Sequence, residues 1–254
     1  MRKLYDMILE RGPLYGYFMQ PKKCILIVKE GRDEKAREFF GKTGVAMSSG
    51  TRHLGAVLGS RSDKFKFVEE KVKDWVREIE ILSKIALTEP HAAFAAFTHC
   101  LQAKWNYISR TISGVGELLL DIERAIRQKF IPSLIKQEVN DDLRTLSALP
   151  ARFAGLGIFN PTERTTISFE HSTQLCQPLV SLILRQADSF DPLELREEQK
   201  LIRVQQDAAL DFKYEHEIST LSSKSPKPHR SGTTKRGIKL AHSHSKHRTR
   251  NNFT

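Results

Sequence analysis

The chain has 254 residues, which at roughly 150 residues per domain gives one or two domains. Its formal charge of +11 is uneven: residues 222–254 hold nine Lys/Arg and no acid, so that segment carries +9 and residues 1–221 carry only +2. This excludes a globally basic protein. No apolar run reaches the ~20 residues of a membrane-spanning helix, so no membrane partner is expected.

The start, Met-Arg-Lys-Leu-Tyr-Asp, has no apolar stretch behind its charges and does not read as a signal peptide. Three cysteines, at 24, 100 and 176, are scattered without a Cys-x-x-Cys pair. A disulfide framework and a structural zinc site are not expected. An intracellular reducing compartment, nucleus or cytoplasm, is the expected location.

The first 60 residues read as mixed structure. Leu4, Met7 and Ile8 mark one face of a short helix, stopped at Arg11-Gly12-Pro13. Cys24-Ile25-Leu26-Ile27-Val28 is an apolar, β-branched run with polar flanks, the pattern of a buried strand. Asp33 to Phe40 predicts a short helix with Ala36, Phe39 and Phe40 inward. The runs Val45–Met47 and His53–Gly59 flank a Ser/Gly stretch and predict a hairpin. The expected fold class is α+β, without a βαβ sheet.

Beyond Gly59 the pattern becomes helical. Phe65, Val68, Val72, Trp75, Ile79, Leu82 and Ala86 recur at alternating spacings of three and four. Ser60 with Asp63 offers a capping box, and Pro90 bounds the end. A second helix opens at Pro90 and carries Phe94, Phe97, Leu101, Trp105 and Ile108. A third carries Leu118, Leu119, Ile122, Ile126 and Phe130 and ends at Pro132. Three helices with short connections predict a small bundle over 61–136. Residues 137–217 form a further helical region. Asn160-Pro161-Thr162-Glu163 starts a helix that Pro178 ends or kinks, and Asp191-Pro192-Leu193-Glu194 starts another. That last helix is highly charged and lies on the surface or meets something beyond this chain. From Ser222 only Ile238, Leu240, Ala241 and Phe253 are apolar, too few to offset the entropy of ordering. Residues 218–254 therefore read as a basic, disordered tail.

Chemistry-bearing residues are few. Asp141-Asp142 is the only adjacent pair of aspartates, and such pairs can hold divalent metals. Its position before Leu143, Leu146 and Leu149 reads instead as a helix start with acids at the positive dipole end. Gly155-Leu156-Gly157 lacks the third glycine and the βαβ setting of a dinucleotide site, so it reads as a turn. His99 and Cys100 sit on an apolar helix without a third ligand and read as core residues. His242, His244 and His247 lie in the tail, where nothing fixes their geometry. No metal site is assigned.

Three segments carry more. They are Gly16 to Cys24 with its Pro21-Lys22-Lys23, His53-Leu54-Gly55-Ala56-Val57-Leu58-Gly59, and Leu149-Pro150-Ala151-Arg152-Phe153-Ala154-Gly155-Leu156-Gly157-Ile158-Phe159-Asn160-Pro161. In this order, with a helical bundle between the second and third, residues 1–215 resemble the reverse transcriptase domain of non-LTR-type and related retrotransposons. The first resembles the Gly-x-x-x-x-Pro-x-Lys segment after the catalytic aromatic-x-Asp-Asp hairpin. The second is similar to the Leu-Gly hairpin between palm and thumb. The third is similar to the Leu-Pro-x-Arg-x-Gly-Gly-Leu-Gly-Ile stretch after the thumb, with Ala154 in place of the first Gly.

The resemblance implies that residues 1–60 are the end of a polymerase palm and 61–136 a thumb-like bundle, with a post-thumb region to 217. No aromatic-x-Asp-Asp precedes Gly12, so the implied metal-binding aspartates are absent, and the expectation is a fragment of an RNA-directed DNA polymerase that is inactive alone. Mg²⁺ is implied only for a complete polymerase, whose upstream half would be a partner; no cofactor is assigned to this chain. Lys23 falls where the family has a lysine near the incoming triphosphate, a cation able to stabilise departing pyrophosphate. It reads equally as a surface lysine flanking a strand. Leu54 and Gly55 match the hairpin that supports the primer end, and also fit a tight edge hairpin. Lys104, Arg110, Arg124, Arg127 and Lys129 would meet template–primer phosphates from a thumb. Interspersed acids make plain solvated helix faces the other reading. Two alternatives stand beside the fragment: a non-catalytic nucleic-acid-binding helical protein, and a decayed reading frame without selected function.

Overall fold

The computed structural model describes residues 1–186 and 189–224. The described chain is mostly helical with a small β part, an α+β arrangement. Helix α1 (Arg2–Arg11) buries Tyr5, whose ring meets Phe40 edge-on at 5.6 Å, while Leu4 and Met7 face outward. Strand β1 (Ile25–Ile27), helix α2 (Asp33–Phe40) and strand β2 (Ala46–Ser48) follow. β1 and β2 pair in parallel, Ile25 opposite Ala46 and Ile27 opposite Ser48.

This corrects three sequence expectations. A minimal βαβ unit is present, because α2 supplies the crossover that parallel strands require. β1 is not a buried strand: Ile25 is 49% exposed and Ile27 also faces outward, since nothing among the described residues covers that side of the two-stranded sheet. Of the three apolar residues expected inward on α2, Phe39 is exposed and Phe40 carries the packing.

The hairpin exists, but between strands β3 (Gly50–His53) and β4 (Ala56–Gly59), with Gly50 opposite Gly59. Ser48–Gly50 does not turn the chain back. The Ser48 hydroxyl is bonded to the Gly50 backbone on both sides, donating to its carbonyl at 2.5 Å and accepting from its N–H at 3.3 Å, and the strand pairing passes on. The tight turn is Leu54-Gly55, with φ +48° and +86°. Positive φ at both central residues is what a two-residue type I′ hairpin requires.

Helix α3 (Arg61–Ala86) is the backbone of the core, burying Val68, Val72, Trp75, Ile79 and Ala86 as the spacing predicts. Its capping box forms: the Asp63 N–H donates to the Ser60 hydroxyl at 3.1 Å. The Ser60 hydroxyl, with Ser49 behind it, holds the Asp63 carboxyl below the usual carboxylate range.

The second bundle helix runs as α4 (Pro90–Ala95), a π turn over Ala96–Leu101, and α5 (Gln102–Thr111). The third runs as a 3₁₀ turn over Gly116–Leu119, α6 (Leu120–Ala125), a π turn over Ile126–Phe130, and α7 (Ile131–Ile135). Phe97 and Phe130, one in each π turn, stack at 4.3 Å with 17° between their planes. Trp105 closes the cluster against Phe97 and Trp75. Pro132 does not end the third helix. The π turn before it widens the hydrogen-bond ladder where a proline's missing N–H falls, and the helix runs on until Lys136 turns left-handed at φ +58°. His99 and Cys100 are exposed rather than core residues, because Phe97 and Leu101 take the inward positions of that turn.

Helix α8 (Asp141–Ala148) starts as expected, with Asn140 Oδ1 accepting the Leu143 N–H at 2.8 Å. Helix α9 (Pro161–Leu184) is capped by Asn160 and packs on α5 and α6. Pro178 does not end it; six more helical residues follow. Helix α10 (Pro192–Lys224) returns along α9, so residues 218–224, read from sequence as the start of a disordered tail, are helical. Residues 225–254, with His242, His244 and His247, lie outside the described residues. No helix among the described residues is long and apolar enough to cross a membrane.

Candidate nucleic-acid interface

Lys23 is the last residue of a 3₁₀ turn (Pro21–Lys23) that leads straight into β1. Pro21 fixes the turn, and the Cys24 N–H closes it on the Pro21 carbonyl at 3.0 Å. The Lys23 side chain is exposed and makes no hydrogen bond or ion pair among the described residues.

Leu54 and Gly55 form the hairpin tip. Leu54 is 82% exposed. Below the tip stands Tyr107 of α5, whose hydroxyl donates to the Leu54 carbonyl. A Cβ on Gly55 would lie 3.3 Å from the Tyr107 ring, so the missing side chain permits the approach. The tip is thus fixed to the bundle while presenting Leu54 outward. Tyr107 was not singled out from sequence; an intermediate-exposure Tyr beside a core Ile carries no distinguishing pattern.

The five helix cations divide. Lys104 pairs with Glu78 at 2.6 Å, Arg124 with Asp121 at 2.5 Å, Arg127 with Asp141 at 2.5 Å and Lys129 with Glu80 at 2.6 Å. The Lys129 ammonium in turn holds the Glu80 carboxyl below its ordinary range. Arg110, one turn after Tyr107, is exposed and has no hydrogen bond or ion pair among the described residues. Exposed pairs of this kind contribute about 0–1 kcal/mol each, so a phosphate can displace the acid at small cost. Charge by segment points the same way: residues 1–60 hold eleven Lys/Arg against six acids, whereas residues 61–221 hold 21 against 24. Within that stretch the bundle, residues 61–136, holds thirteen Lys/Arg against ten acids, and residues 137–221 hold eight against fourteen, so the positive surplus lies beside the sheet, more weakly on the bundle, and in the tail.

The 149–161 segment is anchored by groups that sequence reasoning missed. Gln102 of α5 is buried; its amide nitrogen donates to the Gly157 carbonyl and its oxygen accepts from the Phe159 N–H, both at 3.1 Å. Arg144 of α8 is buried too. It donates to both oxygens of Glu123 at 2.7 and 2.6 Å and to the Ile158 carbonyl at 2.8 Å. Ile158 between them is fully buried in the bundle core. The segment joining α8 to α9 therefore enters the bundle core. Ala154 has φ +60°, and Gly155 lies against Leu149, where a Cβ would be 2.0 Å from its carbonyl oxygen. Replacing Ala154 by Gly should raise stability by about 1 kcal/mol, since a left-handed non-glycine residue is strained. Gly155→Ala should lower it by more than about 2 kcal/mol, because backbone must move. Urea unfolding of both variants checks the opposite signs.

Among the described residues no group of three or more His, Cys, Asp or Glu is gathered to hold a metal ion. The Asp141 carboxylate is engaged by Arg127 at the start of α8. Comparison with known proteins finds no matching family model, no matching curated protein and no matching solved structure.

Proposed function

We propose that this chain is the palm-end and thumb portion of a retrotransposon-type reverse transcriptase, which holds a primed template and does not extend it alone. The observation that carries the reading is the Leu54-Gly55 tip, seated on the bundle through Tyr107 and presenting Leu54 outward. That is the form a primer-supporting hairpin between palm and thumb requires: a rigid turn, one apolar contact for a sugar or base, and cations nearby. Arg110 follows Tyr107 by three residues on α5, within reach of a backbone lying over the tip. The left-handed Ala154 also supports the reading, because glycine, the residue at that place in the resembling segment, suits it without strain. The sequence before Gly12 carries no aromatic-x-Asp-Asp, so metal-dependent phosphoryl transfer needs carboxylates from elsewhere.

The test pairs binding with extension. The full chain should bind a primed RNA template in fluorescence anisotropy and yield no Mg²⁺-dependent product above a blank. Arg110→Ala should reduce the slope of log K against log salt by about one unit, whereas Arg124→Ala, whose cation is already engaged by Asp121, should change it less. Absence of binding at low salt refutes the reading, and product formation refutes the claim of inactivity.

A further inference from the structure

Helix α10 buries one face on α9 through Ile202, Gln206, Leu210 and Tyr214. Gln206 anchors that contact, its amide donating to the His171 carbonyl at 3.2 Å and to Gln174 at 2.8 Å. The opposite face is also apolar. Leu193, Leu201, Val204, Ala208 and Phe212 fall on one row at helical spacing. Leu201 is 63%, Val204 59% and Phe212 74% exposed. A helix that needs only one buried face has no reason to carry a second.

The row beside this stripe carries an ordered charge sequence: Arg196, Lys200 and Arg203 in its first half, Asp207 and Asp211 in its second. Lys200, Arg203, Asp207 and Asp211 each precede a stripe residue by one position, and Arg196 precedes Glu197 on the same row, so the row flanks one edge of the seam. Such a row is self-complementary only when two copies run antiparallel. Lys200 of one copy then lies beside Asp207 of the other, and Arg196 beside Asp211, whose carboxylate is also engaged by Arg152 of its own chain. A parallel pairing would put the two rows on opposite edges of the seam, where they do not meet. Glu197 interrupts the stripe but is held by Lys200 at 3.3 Å, an exposed pair that a second Asp207 extends.

We propose that the outward face of α10 is a self-association seam that binds a second copy of this chain antiparallel. The helix spans about 50 Å at 1.5 Å per residue. Covering the stripe and its flank in both copies removes on the order of 1,000 Å² from water, the size at which specific interfaces begin. This places the two Lys224 ends of the helices at opposite ends of the seam. The inference is independent of the polymerase reading.

Sedimentation equilibrium of the full chain should give twice the chain mass, with the monomer reappearing on dilution. Val204→Glu sits on the solvent side and leaves the fold intact; it should give monomer at every concentration. Lys200→Glu should weaken the dimer at least tenfold, and Lys200→Glu with Asp207→Lys should restore it. A chain that stays monomeric up to about 100 μM, where even weak complexes populate, overturns the proposal. So does a dimer indifferent to Val204→Glu, or one that the double charge exchange fails to restore.

Discussion

Arg144→Met lowers the stability of the chain by about 3–5 kcal/mol, the cost of leaving one partner of a buried ion pair alone. The Arg144 side chain is 7% and the Glu123 side chain 15% exposed. Without the guanidinium, the Glu123 carboxylate keeps its burial but loses both donors, and the Ile158 carbonyl loses a third. The damage spreads because Ile158 holds the 149–161 segment in the core, and that segment leads into α9. Arg144→Met with Glu123→Leu should recover a large part of the loss, since two apolar groups of similar volume leave no charge stranded. Thermal or urea unfolding of the two single variants and the pair measures the coupling. If the single variant costs less than about 1 kcal/mol, within the range of exposed pairs, the pair is not a structural anchor.

Removal of residues 225–254 gives the second large effect. It takes away eight Lys/Arg and leaves α10 whole. If those cations engage phosphate, each contributes close to one unit of salt slope, so affinity for a primed template at low salt should fall by a factor of about 10³ or more and the slope should flatten by several units. The remaining affinity reports the folded part alone. An unchanged slope would mean that the tail does not meet nucleic acid, and that the surplus charge of residues 1–60 carries the binding.

The helices were legible because their signals are local. The spacing from Phe65 to Ala86, the Ser60 and Asn160 caps and the Pro90 start each depend on residues a few positions apart, and each is found in place. The sheet was not legible in the same way. Parallel pairing of Ile25–Ile27 with Ala46–Ser48 links residues about twenty apart, and nothing in either run selects its partner or the direction of pairing. Turn chemistry alone placed a hairpin at serine and glycine 48–50, where local bonding of Ser48 already satisfies the bend, whereas the Leu-Gly hairpin expected over His53–Gly59 is where the strands turn. The candidate site was legible only as segments. Leu54 and Gly55 are joined to α5 by Tyr107, three residues before Arg110, whereas Lys104, Arg124, Arg127 and Lys129 each face an acid from another turn or helix. Gln102 and Arg144 escaped notice because long polar residues on a helix read as solvent-facing; only the backbone groups of 157–159 give them a reason to be inside.

The stacked pair Phe97 and Phe130 sits at two π turns, and this has an outcome for chain length. A π turn holds one residue more than an α turn, so the helical phase slips by about 100° across it. Residues on either side of Ala96–Leu101, or of Ile126–Phe130, belong to separate helical wheels. Each turn therefore has the form of a one-residue insertion accommodated inside a helix. Chains descended from a common ancestor could differ in length at these two points and keep every loop unchanged.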